Sequence, residues 1–182
     1  MHAGTTASPG RSPPHPPQAG NRQPLYTPEQ RLRRDQCRWT LVQGILAPVQ
    51  FLVFLASLVL VLRYLATGEG LAWATGSVVA KTLILYTIMV TGCIWEKVVF
   101  GVYLFAEPFF WEDVFSMLVL ALHTGYLYVL AIGALEARGQ MLLALAAYAA
   151  YVINAGQFLL KLRAARLQSA SPSASASGEV AA

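Results

Sequence analysis

The chain has 182 residues, of which 56% are hydrophobic and only 12% charged, and its mean hydropathy is +0.51. A soluble domain of this size needs less apolar material, so a bilayer is its expected solvent. The formal charge of +4 sits in the tails and beside apolar runs rather than on a folded polar surface, which argues for membrane orientation and against a nucleic-acid partner. Cys37 and Cys93 have neither metal-ligand nor C-x-x-C spacing, and neither is expected to form a disulfide.

Residues 1–23 are rich in Pro, Gly, Ser and Thr and are expected to be a disordered tail, with His2 and His15 as solvated residues rather than ligands. The tail has no apolar run of the kind a cleaved secretory signal carries, so the first span is expected to act as the insertion signal. Thr27, Pro28 and Gln30 then form a helix start: a capping hydroxyl, a proline suited to the first helical position and an amide that can complete a capping box. The short basic helix that follows, with Arg31, Arg33, Arg34 and Arg38 before Trp39, suits a helix lying at the headgroups.

Four apolar stretches follow, at about 40–65, 71–95, 111–135 and 140–160, each near the ~20 residues that a helical span requires. The first and last pairs are joined by short polar links containing glycine, which predicts antiparallel neighbours. The middle connection, 96–110, is longer and aromatic. Six arginines precede the first span, and Lys161, Arg163 and Arg166 follow the fourth, so the positive-inside rule predicts both termini in the cytoplasm. The acids Glu96, Glu107, Glu112 and Asp113 then lie on that same side and need a separate reason. Residues 168–182 are expected to be a second disordered tail. The predicted fold is therefore all-α: a four-transmembrane-helix bundle over 24–167 with a short N-terminal interfacial helix and disordered tails.

Polar residues inside spans are costly, so their helix faces are informative. Gln43, Gln50, Ser57 and Tyr64 recur every seven residues and define an inward face of the first span, which Pro48 is expected to kink. Lys81 lies well inside the second span, where it can pair with another span, snorkel or neutralise an acidic ligand group. Glu112, Ser116, Val119 and His123 share a face of the third span, suiting either proton transfer and metal-bearing ligands or an interhelical hydrogen bond. Tyr151, Asn154, Gln157 and Lys161 share a face of the fourth, as ligand contacts or as interhelical glue, and Ala144, Ala147, Ala150 and Ala155 allow close approach. No nucleophile elbow, phosphate loop, H-E-x-x-H or EF-hand motif is present.

Particular strings go further than this periodicity. PLYTPEQR (24–31), WTLVQGILAPVQFLVFL (39–55), RYLATGEG (63–70), KTLILYTIMVTG (81–92), IWEKVVFGVYLFAEPFFWEDVFS (94–116) and YVINAGQFLLKLRAARL (151–167) resemble the 3-vinyl bacteriochlorophyllide hydratase family of phototrophic bacteria. The resemblance implies a hydro-lyase of bacteriochlorophyll biosynthesis, in a bacterial inner membrane, that adds water to the C3 vinyl group of chlorophyllide a and yields a 1-hydroxyethyl group. It supplies no catalytic residues.

Those residues follow from the chemistry. Protonation of the terminal vinyl carbon leaves a cation delocalised into the macrocycle, which water attacks, so an acid and a group that handles water are needed. Glu112 is the first candidate for the acid, with Glu96 across the connection as its partner; Asp113 is read as solvated or paired with Arg38 or Lys97. His123 is a candidate axial ligand for the magnesium of the substrate, Arg38 or Lys161 for its propionate, and Asn154 and Gln157 for further substrate contacts. No cofactor is required, because hydration involves no net redox change. Expected partners are the magnesium tetrapyrrole, the lipid bilayer and, because the pigment is so insoluble, other enzymes of its pathway. The rival readings are a non-catalytic pigment-binding assembly factor and a small membrane transport subunit.

Overall fold

A computed structural model describes residues 25–170; both expected tails, apart from 168–170, lie outside the described residues. The described chain is entirely helical: α1 (Pro28–Gln36), α2 (Arg38–Thr67), α3 (Leu71–Phe100), a 3-10 turn (Glu107–Phe109), α4 (Phe110–Ile132) and α5 (Ala137–Ala170). The last four α-helices are long and apolar enough to cross a membrane. α2 packs mainly along α3 and α4 along α5, so the bundle consists of two hairpins laid side by side. We call the end that carries α1 and the 101–109 connection basal, and the end that carries the two short links distal.

Backbone chemistry sets the boundaries. The capping box at Thr27 forms as expected: Gln30 N–H donates to Thr27 Oγ1 at 3.2 Å and Thr27 N–H to Gln30 Oε1 at 2.9 Å. α3 runs five residues beyond the expected end at 95, until Gly101 adopts φ 87°. α4 stops at Ile132 rather than 135, because Gly133 takes φ 64° and closes the helix in the left-handed conformation that glycine adopts without a Cβ penalty. α5 extends past the expected end at 160 to Ala170, including the first residues assigned to the tail. Pro48 lies inside an unbroken α2.

α1 is pinned to the bundle. Trp95 Nε1–H donates to Thr40 Oγ1 at 3.0 Å, and that hydroxyl donates to Arg34 O at 2.6 Å. Tyr26 is buried against Phe100 and Phe109, and the Arg34 guanidinium lies 4.8 Å over its ring. Burial pushes the Tyr26 phenol above its usual range, which keeps the ring uncharged within this aromatic cluster.

Apolar side chains such as Leu52, Val59, Leu83, Val90, Ile153 and Leu160 face outward, while Gln50, Ser57, Lys81, His123 and Asn154 are buried. Such an inside-out distribution suits a hydrocarbon solvent, in which polar groups must be satisfied within the protein. One layer ties all four spans together. Ser57 of α2 hydrogen-bonds Ser77 of α3 at 2.7 Å and the Tyr148 hydroxyl of α5 at 2.5 Å. Next to it, Lys81 Nζ of α3 donates to His123 Nε2 of α4 at 2.6 Å and lies 4.2 Å from the Tyr151 ring centroid. Lys81 and His123 are both fully buried.

The His123 tautomer follows from this geometry. Nδ1 lies 2.8 Å from Val119 O and must donate to that carbonyl, which leaves the Nε2 lone pair to accept from Lys81. Replacing Lys81 by Met strands Nε2 without a donor and should destabilise the protein by about 1–3 kcal/mol. Adding His123→Leu removes the stranded group and should recover most of the loss, measured as a double-mutant cycle of unfolding in detergent.

Candidate active site

The basal acids divide into two sets. α3 carries Glu96 near its last turn and α4 carries Glu112 and Asp113 in its first, where acids favour the helix N-terminus. Neighbouring residues on a helix point about 100° apart, so Glu112 and Asp113 face different helices. Asp113 turns toward α3, where its carboxyl group interacts with that of Glu96; both are nearly buried, at 4% and 6% exposed. Glu112 turns toward α5 and accepts from Lys161 Nζ at 2.6 Å.

The 101–109 connection closes over the carboxyl pair. Phe105 N–H donates to Asp113 Oδ2 at 2.7 Å and Ala106 N–H to Glu96 Oε2 at 3.4 Å. Phe105 takes φ 60°, unusual for a bulky residue, so the chain is held in a strained turn at the place where it presents these two N–H groups. Beside the pair, Trp95, Phe100, Phe109 and Phe158 pack ring on ring, with Phe109 and Phe158 stacked at 6.0 Å. Carboxyl groups bordered by aromatic rings, with little access to water, form a site that can hold and deliver a proton next to a flat apolar ligand.

Several expected neighbours are placed differently. Glu96 meets Asp113 rather than Glu112, and Asp113 is buried rather than solvated or paired with Arg38 or Lys97. Lys97 donates to Gly101 O at 2.8 Å, and Arg38 is exposed at the start of α2. The Lys161 ammonium is held by Glu112 and lies 4.9 Å over the Phe109 ring. The face of Glu112, Ser116, Val119 and His123 is buried along its whole length, but eleven residues place His123 about 16 Å along the axis from Glu112. With Nδ1 on Val119 and Nε2 on Lys81, both ring nitrogens of His123 are engaged. Asn154 joins α5 to α4 through Nδ2–H donating to Ser116 Oγ at 2.9 Å, and the buried Oε1 of Gln157 has no protein partner. Among the described residues no cluster of three or more His, Cys, Asp or Glu suits a metal ion. A cleft lined by Leu60, Arg63, Glu69, Gly70 and Trp73 lies at the distal end, remote from the acids.

Fold and site thus define a polytopic helical membrane protein with a buried carboxyl pair at one end of its bundle. A family model described as 2-vinyl bacteriochlorophyllide hydratase matches residues 26–164. The 2-vinyl bacteriochlorophyllide hydratase of Rhodobacter capsulatus is 66% identical over 161 residues, covering 88% of this chain and 94% of that protein. Its counterpart from Cereibacter sphaeroides is 72% identical over 144 residues, covering 79% of this chain and 89% of that protein. No solved structure matches. The chain belongs to the 2-vinyl bacteriochlorophyllide hydratase family, in agreement with the resemblance carried by the strings quoted above.

The Glu112–Lys161 pair is largely buried, so Glu112→Gln leaves the ammonium without its charged partner and should lower stability by about 1–3 kcal/mol, between the cost for an exposed pair and that for a fully buried one. Thermal unfolding in detergent checks this, and the difference from wild type should change little between low and high salt, because a buried pair is poorly screened.

Proposed function

We propose that this chain is the hydro-lyase its family name describes, adding water across the vinyl group of a magnesium tetrapyrrole, a chlorophyllide or bacteriochlorophyllide, on the route to bacteriochlorophyll. Two carboxyl groups in contact and out of water repel each other if both are ionised, and one shared proton relieves that repulsion. The convergence of the buried Glu96 and Asp113 carboxyls on consecutive N–H groups of the 101–109 connection is the observation that supports this assignment, because vinyl hydration begins with proton delivery.

In this mechanism the pair gives its proton to the terminal vinyl carbon, which becomes a methyl group. The adjoining carbon, left positive and conjugated with the macrocycle, takes the oxygen of water. The water then returns a proton to the pair, so the net change is the addition of one water and the acid is regenerated. The N–H groups of Phe105 and Ala106 accept the role of stabilising the pair while it is ionised, between the two proton transfers. Glu112 holds Lys161, and that ammonium, with Arg38 at the surface, offers the propionate a cationic rim. The charge of the arginines near α1 and of the end of α5 supports an orientation with the basal end and both termini in the cytoplasm of a bacterial membrane.

Membranes containing the protein, given 3-vinyl chlorophyllide, should yield a pigment heavier by one water, with its red absorption band blue-shifted by the loss of vinyl conjugation. Pigment that binds and returns unchanged would sink the hydratase reading and favour a carrier. In D2O the product should carry one deuterium in its new methyl group. Glu96→Gln should lower kcat by about 100-fold or more while pigment binding persists. Glu112→Gln, which leaves the pair intact, should keep most of the rate; the opposite pattern would return the acid role to Glu112.

A further inference from the structure

Between the Lys81–His123 layer and the carboxyl pair lies a group of amides that neither accounts for. Gln50 is 2% exposed, and neither its Nε2 nor its Oε1 has a hydrogen-bond partner in the protein. Asn154 is 9% exposed; its Nδ2 serves Ser116, and its Oδ1 is unpartnered. The buried Oε1 of Gln157, one turn further along α5, is unpartnered as well. Phe54 of α2 packs against Tyr148 and Tyr151 of α5, with ring centroids 5.4 and 5.0 Å apart. These helices run in opposite directions, so one turn toward the basal end brings Gln50 of α2 to the level of Asn154 of α5.

Buried polar groups in folded proteins are almost always partnered, and three amides left open at adjoining levels point to a bound ligand. The open atoms specify its chemistry. A ketone, ester or carboxylate of the pigment only accepts hydrogen bonds and would leave every amide oxygen unserved. Gln50 presents one donor group and one acceptor whichever way its amide is turned, so its ligand must both donate and accept. Water is the small molecule with that property, and it is consumed by the reaction proposed above.

We propose that Gln50, Asn154 and Gln157 form the binding site of the water that is added. The water donates one O–H to an amide oxygen and accepts from the Gln50 Nε2–H group, which leaves its second O–H for proton transfer and one lone pair for the cationic carbon, and the water oxygen becomes the carbinol oxygen of the product. One proton of the added water passes to the Glu96–Asp113 carboxylate, which has just given its own to the methyl carbon, so the balance closes without a further reactant. The amides thus hold the nucleophile while the carboxyl pair moves protons.

This inference rests on the hydratase reading, and the test separates the two. Wild type and Gln50→Leu, both reconstituted in lipid nanodiscs, are compared for turnover of the vinyl pigment, for its equilibrium binding by absorption titration, and for dehydration of the 1-hydroxyethyl pigment. Gln50→Leu is expected to lose about tenfold or more in kcat in both directions, with KM and pigment affinity within about twofold of wild type. X-ray radiolytic labelling, which marks side chains beside bound water, should modify Phe54 in wild type and much less in the variant. Unchanged turnover and unchanged labelling would overturn the water site, and a loss of pigment affinity in proportion to turnover would reassign Gln50 to the pigment. If Gln50→Leu does not fold, Gln50→Ser, which keeps a hydroxyl and opens room for a second water, is expected to retain turnover within about tenfold and labelling at the wild-type level; loss of labelling in it would equally overturn the proposal. A wild type that hydrates nothing would remove the function itself.

Discussion

The buried polar side chains of this bundle answer one constraint: in hydrocarbon, an N–H or O–H that turns outward finds no partner. The hydrogen bonds Ser57–Ser77, Ser57–Tyr148 and Lys81–His123 answer it by drawing α2, α3, α4 and α5 onto a shared interior layer. Apolar packing discriminates poorly between helix and lipid, since both present the same hydrocarbon. A few buried hydrogen bonds therefore set which face of each helix turns inward, and small residues such as Ala144 and Ala147, both fully buried, let the backbones come close enough to make them.

That layer also sets the position of the basal acids. Once Lys81 and His123 fix α3 against α4, the register carries Glu96 to Asp113 nearer the basal end, and the rotation of α4 that turns Asp113 inward leaves Glu112 for α5. Asymmetry between two adjacent acids arises from the 100° step of the helix. The 101–109 connection completes the arrangement by lending two backbone N–H groups to the carboxyl pair while its aromatic residues close the basal end.

Addition of water to a greasy conjugated pigment sets two requirements that conflict. A proton donor must be kept from bulk water to stay protonated, whereas the nucleophile is water itself. In the proposed mechanism separate groups meet these needs: the buried carboxyl pair at the basal end and the amides in the bundle interior. The family to which the chain belongs names a reaction that needs both.

The four spans, the capped basic helix, the inward face of Gln50 and Ser57 and the shared faces that carry His123 and Asn154 were legible in the amino-acid sequence, because hydropathy and the 3.6-residue period are local properties. Quoted strings carried the family, since they are specific side chains in fixed order. Helix ends were legible less well: Gly101 and Gly133 stop their helices through a backbone conformation that hydropathy does not see. What only the tertiary structure decided was pairing. That Glu96 faces Asp113, that Glu112 is held by Lys161 and that both nitrogens of His123 are engaged depend on the rotation and register of one helix against another. Those are set by contacts between residues tens of positions apart, which no local period encodes.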